Sequence, residues 1–421
     1  MSKAAGSPPM GWNSWDCYGA SVTEQEVRGN ARFMADRLRP HGWEYVIVDI
    51  QWYEPTADSS RYHPFAPLEM DAFSRLMPAV NRFPSAAGSA GFRPLADDIH
   101  AMGLKFGIHI MRGIPRQAVH CNTPLAGTSA RARDIAHPCS ICAWNTDMYG
   151  VDTSRPGAQA YYDSLFALYA SWGVDFVKVD DAAYNFIAPG HYCGGEIEAI
   201  AQAIRHSGRR MVLSLSPGPA PLEKAGHLAR HADMWRITDD LWDTWDELAA
   251  AFDVCAGWSA RPTPGRWPDA DMLPLGHIGI RSCEHGAGDR TTRLTPDEQR
   301  TMLSLWCLFR SPLFFGGEMR GMDTWTLSLL TNDDVLRIQR TSHGGRPLPG
   351  RGDLKLWTAQ GNGCRYLGLF NLGAAGLCPS LPEEFRPAGT VFDLWTHTPV
   401  DMSDGLEVPP HGVRLLRLSN S

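Results

Sequence analysis

At 421 residues the chain is longer than one hydrophobic core usually supports, which predicts two domains unless one of them is a barrel. Its 43% hydrophobic and 20% charged residues are those of an ordinary globular protein, while a formal net charge of -7 argues against nucleic acid or an anionic membrane as partner, since both are held by a basic face. No apolar run approaches the roughly 20 residues of a membrane span.

The opening string MSKAAGSPPMG has no apolar stretch of the signal-peptide kind, which predicts a cytoplasmic location. Ten cysteines scattered through so long a chain suit reduced thiols better than a disulfide framework. After the Pro-Pro turn at 8–9, GWNSW (11–15) reads as a short strand. Residues 23–37 are helical in pattern and open on a Thr23/Glu26 capping box. EYVIVD (44–49) is a second strand, 95–102 a helix, and LKFGIHI (104–110) a third strand. Residues 111–156 then break the rhythm with Pro, Gly, Cys and His and no clear periodicity. Long structured loops in compact domains tend to carry function, so this insertion is expected to cap a site or to form the contact of a homo-oligomer. Cys139 and Cys142 have C-x-x-C spacing, but no second pair follows at zinc-site spacing, and no metal is expected.

The rhythm returns with a helix at 158–172 and the strand VDFVKVD (174–180). Helices at 196–206, 222–231, 244–254 and 296–309 follow, the last behind a Thr295 cap. They alternate with strands at 210–216, 234–240, near 269–275 and at 312–317, and a final helix covers 323–331. Eight strand–helix repeats predict an α/β fold, a closed (β/α)8 TIM barrel over residues 1–334. From 335 to 421 the pattern becomes alternating strands with Gly, Pro and Asn turns, which predicts a C-terminal antiparallel β-sandwich. The Pro-His-Gly turn before its last strand holds no evident chemistry and is expected to be structural.

Barrel enzymes place their sites at the carboxyl ends of the strands. Asp49, His109, Asp180, Ser216, Asp240 and Asp271 all fall at such ends. Lys178 lies two residues before Asp180, so strand alternation points both to one face. A salt bridge at a strand tip would account for that pair alone; the shared position of the others favours a site. Arg236 stands in the strand before Asp240, and nearby cations hold carboxylates ionised. Paired carboxylates among aromatic residues are the apparatus of glycoside hydrolysis, and 15 Trp and 11 Tyr, many beside Asp, Asn or His, suit a sugar's apolar C–H faces and polar rim.

The strings PPMGWNSWD, FVKVDD, WRITDD, WPDADML and TPDEQRTMLSLWCLFRSPLFFGG follow one another in that order. Together they resemble glycoside hydrolase family 27, the melibiase-type α-galactosidases, over nearly the whole chain. The resemblance implies a nucleophile at Asp180 with Lys178 as a hydroxyl-binding partner, and an acid/base at Asp240 with Arg236. It also implies a substrate carboxylate at Asp271, and Trp15, Asp49, Ile50, Trp52, His109 and Ser216 are expected to contact the sugar with Lys178 and Arg236. It implies double displacement with retention, a small-molecule or oligosaccharide glycoside as partner, and no metal or organic cofactor.

Departures from the family pattern bear on the substrate. Family members typically end strand two with D-D-x-W, whose tandem carboxylates receive O4 and O6 of galactose; here the string is Asp49-Ile50-Gln51-Trp52. Leu215-Ser216-Pro217 replaces C-E-W after strand five, which sets a small hydroxyl there, and His109 replaces the strand-three Tyr. Ala182 replaces the Cys after the nucleophile, removing a family disulfide, in agreement with a reducing compartment. Ile50 brings the chain to resemble the β-L-arabinopyranosidase branch. β-L-Arabinopyranose is α-D-galactopyranose without its C5 hydroxymethyl, and an apolar side chain at the O6 position loses nothing against it. A galactoside would bury an unpaired hydroxyl at a cost of about 1–3 kcal/mol. An α-galactosidase with the same catalytic residues is the alternative. A non-catalytic sugar-binding homologue is a second one, against which the presence of both carboxylates weighs.

Overall fold

The computed structural model describes residues 6–184, 192–261, 263, 265–283, 288–379, 391–401 and 406–419. Eight parallel strands form one sheet: β1 (Met10–Asn13), β2 (Tyr45–Val48), β3 (Lys105–Met111), β4 (Phe176–Asp180), β5 (Val212–Leu215), β6 (Met234–Arg236), β7 (Trp267–Asp269) and β8 (Leu313–Phe315). They lie side by side in chain order, β8 pairs with β1, and a parallel bridge between Leu273 and Phe315 joins the chain beyond β7 to β8. The sheet is therefore the closed barrel that the eight repeats predict.

Alternation along each strand divides it into two faces. In β4, Phe176 packs into a lumen cluster with Tyr45, Ile47, Val212, Met234 and Phe314, while Val177 and Val179 pack outward against the helices. Lys178 and Asp180 share the inward face of Phe176, and by the same period Asp49 continues the face of Tyr45 and Ile47. The lumen is filled rather than open. The Phe176 ring centroid lies 5.5 Å from that of Tyr45 and 5.3 Å from that of Phe314. Space for these rings comes from glycine on neighbouring strands. A Cβ at Gly107 would stand 2.3 Å from Ile47 Cδ1, and one at Gly11 2.4 Å from the Tyr45 carbonyl oxygen. Large and small residues on adjacent strands thus build the packed layers of a TIM barrel, and charge is displaced to the upper rim.

The helices are α1 (Glu24–Phe33), α2 (Arg93–Ala101), α3 (Ala158–Trp172), α4 (Gly194–His206), α5 (Ala225–His231), α6 (Trp245–Ser259), α7 (Pro296–Phe309) and α8 (Asp333–Thr341). Capping boxes open α1 at Thr23/Glu26 and α7 at Thr295/Glu298. A further helix, Thr324–Leu330, precedes α8 and matches the expected final one. The sequence reading omits α8, and the expected domain boundary between 334 and 335 falls inside it. Its signals are the Asn332 cap, which accepts from Val335 N, and the buried Val335, Leu336 and Ile338. The 111–156 insertion also has regular structure: Ile114–Pro115 and Ala136–Ile141 both pair antiparallel with Met148–Val151. All ten cysteines are free, and among the described residues no helix is long and apolar enough to cross a membrane.

The C-terminal β-sandwich domain is built on an antiparallel sheet of β9 (His343–Leu348), β10 (Leu354–Gly361), β11 (Cys364–Asn371), β12 (Val391–Asp393), β13 (Thr398–Val400) and β14 (Val413–Ser419), in the order β9-β10-β11-β14-β12-β13. Leu367, Leu369, Leu416 and Leu418 face the domain's own core, and Tyr366, Phe370 and Leu415 face the barrel helices. His411, in the Pro-His-Gly turn, stacks on Trp245 at 3.9 Å, and its Nδ1 pairs with Glu298 Oε1 at 2.7 Å. That turn therefore docks the sheet on α6 and α7. Strand β9 sits so close to α7 that a Cβ at Gly345 would lie 2.0 Å from the Leu308 carbonyl oxygen. Gly345→Ala is expected to lower the free energy of unfolding by about 1–3 kcal/mol, since a backbone atom must move. Urea denaturation checks this; an unchanged midpoint would show that the contact is looser than the geometry states.

Candidate active site

A cavity of about 240 Å³ opens at the carboxyl ends of the strands and is lined by both expected catalytic carboxylates, Asp180 and Asp240. Trp15, Asp49, Ile50, Lys178, Ser216, Arg236 and Asp271 share it. Nine of the eleven residues expected from the sequence are thus brought together in one chamber.

Asp180 ends β4, where the inward face meets the cavity floor. Its Oδ2 accepts from His109 Nε2 at 2.9 Å, and its Oδ1 from the Asp181 backbone N–H at 2.8 Å. Burial alone would raise its pKa. The His109 hydrogen bond and the charges of His109 and Lys178 outweigh that and hold it below the usual carboxylate range. The result is an ionised carboxylate with both oxygens oriented. Asp181 has a left-handed backbone, φ 56°, and Arg112 holds it there. The Arg112 guanidinium donates through Nε to the Asp181 carbonyl at 2.5 Å and meets its carboxylate through Nη2 at 2.8 Å. Its Nη1 lies 3.4 Å from Glu196 Oε2. The Arg112 N–H also donates to the Asp180 carbonyl at 3.0 Å.

Asp49 follows β2. Its Oδ2 accepts from Asn13 Nδ2 at 2.7 Å and Lys178 Nζ at 3.0 Å, and its Oδ1 from the Ile50 N–H at 2.9 Å. Burial opposes ionisation here too, but Lys178, His109 and Asn13 bring the pKa down to about 2. In return, although burial disfavours the ammonium, Asp49 and Asp180 raise the Lys178 pKa. Ile50 is 2% exposed and presents its side chain to the cavity wall beside this ion pair.

Across the chamber Arg236, at the end of β6, joins two carboxylates: Nη2 reaches Asp240 Oδ1 at 2.9 Å and Nη1 reaches Asp271 Oδ1 at 2.7 Å. Asp271 also accepts from the backbone N–H groups of Leu241 and Met272 at 2.8 and 2.7 Å. The two carboxylates expected to react differ in setting. The Asp240 side chain is 58% exposed, at the mouth, whereas that of Asp180 is 12% exposed, on the floor.

Two expected sugar contacts lie elsewhere. Trp52 is fully buried, donates Nε1–H to the His109 carbonyl at 2.7 Å, and packs edge-on against Tyr53, Phe92 and Trp172. Beyond the end of β2 the chain turns, and strand alternation no longer tells which way a side chain points. His109 faces inward as expected but is covered by Asp180, so it orients that carboxylate instead of lining the cavity. The sequence reading also missed wall residues. Trp144, from the insertion, lines the cavity with Tyr62, whose ring stacks on Trp15 at 6.1 Å and lies 5.4 Å from Trp144. The insertion therefore does reach over the site. Asp16 also lines the cavity; burial, then the charge of Asp271, push its carboxyl well above the usual range. A Cβ at Gly316 would stand 1.8 Å from Asp16 Oδ2. The D at the end of PPMGWNSWD was the available signal.

Residues 144–341 match the family model described as alpha galactosidase A, and 351–418 that of the alpha galactosidase C-terminal beta sandwich domain. A family 27 β-L-arabinopyranosidase from Geobacillus stearothermophilus is 56% identical, covers 99% of this chain and 97% of its own, and superposes with a TM-score of 0.97. A variant of that enzyme, in complex with arabinose, is 56% identical with a TM-score of 0.97, over 99% of this chain and 98% of its own. Alpha-galactosidase 2 of Arabidopsis thaliana is 26% identical over 98% of this chain and 89% of its own length. With these likenesses, the carboxylate-lined barrel mouth defines a glycoside hydrolase. Within that class the chain belongs to glycoside hydrolase family 27, the melibiase family.

Arg112→Met would leave the carboxylates of Asp181 and Glu196 buried without their cation. Removing one partner of a buried ion pair costs about 3–5 kcal/mol, and that loss of stability is expected in urea. Where the variant stays folded, kcat is expected to fall more than KM rises, because the loop that hydrogen-bonds Asp180 is loosened. A variant with wild-type stability and kcat would remove Arg112 from this role.

Proposed function

We propose that the chain is a retaining exo-glycosidase that hydrolyses terminal β-L-arabinopyranosides. Asp180 attacks the anomeric carbon while Asp240 protonates the departing glycosidic oxygen, which leaves a glycosyl ester on Asp180. Asp240, now a base, takes a proton from water, and that water attacks the same carbon from the side the leaving group vacated, breaking the ester bond and releasing Asp180 as a carboxylate. Two inversions give net retention. Three features support this assignment: the oriented, ionised state of Asp180, the mouth position of Asp240 where a leaving group departs, and Arg236 beside it. Asp49, Lys178 and Asp271 are left to read the hydroxyls that arabinopyranose and galactose share. No metal or organic cofactor takes part in this reading, and the expected location is cytoplasmic.

Replacement variants separate the two roles. Asp240→Ala is expected to turn over activated aryl glycosides and to be accelerated by azide, giving a glycosyl azide of retained configuration, because a good leaving group needs no proton. Asp180→Ala forms no glycosyl ester and is expected to give no retained product with any nucleophile. Equal inactivity of both variants on every aglycone would refute the assignment.

The single observation that carries the choice of sugar is Ile50, an apolar side chain on the cavity wall beside Asp49. The 56% identical arabinopyranosidase supports the same choice. The parent protein is expected to show a higher kcat/KM for p-nitrophenyl β-L-arabinopyranoside than for the α-D-galactoside. Ile50→Asp is expected to move that ratio toward galactose by about 1–3 kcal/mol, roughly 10- to 100-fold, if one hydrogen bond to O6 is restored. The second reading, an α-galactosidase, rests on the curated relatives of that activity. A parent that prefers the galactoside, or a ratio that Ile50→Asp leaves unmoved, would establish that reading in place of the first.

A further inference from the structure

Outside the cavity, among the described residues, one group of His, Cys, Asp and Glu side chains gathers three ligand atoms from different residues. Glu198, His227 and His231 each offer an atom within 4.8 Å of the others. His227 and His231 stand one turn apart on α5, which sets both on one face, and their ring centroids are 4.5 Å apart. Glu198 faces them from α4, with Oε1 2.9 Å from His227 Nε2. The other nitrogen of His227, Nδ1, lies 2.7 Å from the Tyr192 hydroxyl. Without an ion, Nε2–H donates to Glu198; an ion taking the place of that proton would leave Nδ1–H donating to the Tyr192 hydroxyl, the arrangement by which an outer hydrogen bond fixes a ligating imidazole. His231 Nδ1 is buried and has no hydrogen-bond partner among the described residues.

We propose that Glu198, His227 and His231 form a binding site for a divalent ion of the Zn2+ class, which ties α4 to α5. Two imidazoles and a carboxylate with an open fourth position for water are a zinc donor set. Tetrahedral bonds of about 2.0–2.1 Å put neighbouring ligand atoms roughly 3.3–3.5 Å apart. The His227–Glu198 spacing is already shorter than that, the three ligand atoms all lie within 4.8 Å of one another, and the Glu198 side chain, 57% exposed, is free to turn toward both rings. None of the three residues lines the catalytic cavity. The ion is therefore a structural clamp between the helices that follow β4 and β5, and no step of glycoside hydrolysis passes through it.

The test is titration of the chelator-treated full-length protein with Zn2+ by calorimetry, beside Co2+ binding followed by visible absorption. One equivalent of Zn2+ is expected to bind, and bound Co2+ is expected to show the d–d bands of a tetrahedral nitrogen–oxygen site with no thiolate charge-transfer band. His227→Gln, His231→Gln and the surface substitution Glu198→Gln are each expected to weaken Zn2+ binding by about tenfold or more, and Tyr192→Phe by about tenfold. All are expected to leave glycosidase turnover unchanged, and Cys139→Ser to leave binding unchanged. The proposal is overturned if the parent takes up no Zn2+. It is equally overturned if Glu198→Gln and the double variant His227→Gln/His231→Gln bind as tightly as the parent, or if the Co2+ spectrum is that of a thiolate site.

Discussion

The ammonium of Lys178 stands in the barrel lumen between two carboxylates, and the floor of the chamber depends on it. It meets Asp49 at 3.0 Å, and its charge also helps hold Asp180 ionised. A carboxylate buried without a cation would take up a proton rather than remain charged. The barrel forces this meeting: side chains on alternate positions of β2 and β4 share an inward face, and below them Tyr45, Ile47 and Phe176 fill the lumen. Charge can enter only above that layer, where water and substrate reach it. Arg236 also stands between two carboxylates, Asp240 and Asp271, across the chamber, but there burial outweighs its charge and, with the charge of Asp240, pushes the Asp271 pKa up to about 7.

Buried charge behind Asp180 keeps this floor in place. Arg112 grips the residue after Asp180 by its carbonyl and carboxylate at once, and reaches Glu196 on α4. The segment after β3 and the segment after β4 are thereby joined without a covalent link. Ala182 stands where the resemblance to secreted family members implies a disulfide cysteine, and an ion network links the same neighbourhood here. The likeness is one of position; the chemistry is that of charge and hydrogen bonds, indifferent to redox conditions.

What the sequence made legible was whatever obeyed a period. Short β-branched runs ending in charge marked the barrel strands, and the two-residue alternation put Lys178 with Asp180. The Thr23/Glu26 pair and the Thr295 cap marked helix starts to within a residue. Where the chain leaves a strand, the period ends and so does the inference. Trp52 turned into the core because its indole N–H found a carbonyl there. Trp144 reached the cavity from an insertion whose composition gave no register, and α8 was passed over although its Asn332 cap and its apolar Val335, Leu336 and Ile338 were there to read, because its nine residues fall where the barrel pattern gives way to the strand pattern. Ile50 was legible only as a departure from a pattern: without the D-D-x-W string for comparison, an Ile after an Asp at a strand end has no meaning.

The helix α7 has a consequence for motion. On one side Thr301 and Ser304 bond the C-terminal sheet, through the His411 carbonyl and the Trp395 indole. On the other, the Trp306 indole donates to the Asp271 carbonyl at 2.8 Å. One rigid rod thus has the sandwich at one flank and a cavity carboxylate at the other. Swinging the sandwich away from the barrel at this seam would break both the Thr301 and the Ser304 hydrogen bonds. The sandwich is thereby coupled through one helix to the backbone of a cavity residue, whereas Tyr62 and Trp144 line the cavity from segments that these hydrogen bonds do not reach.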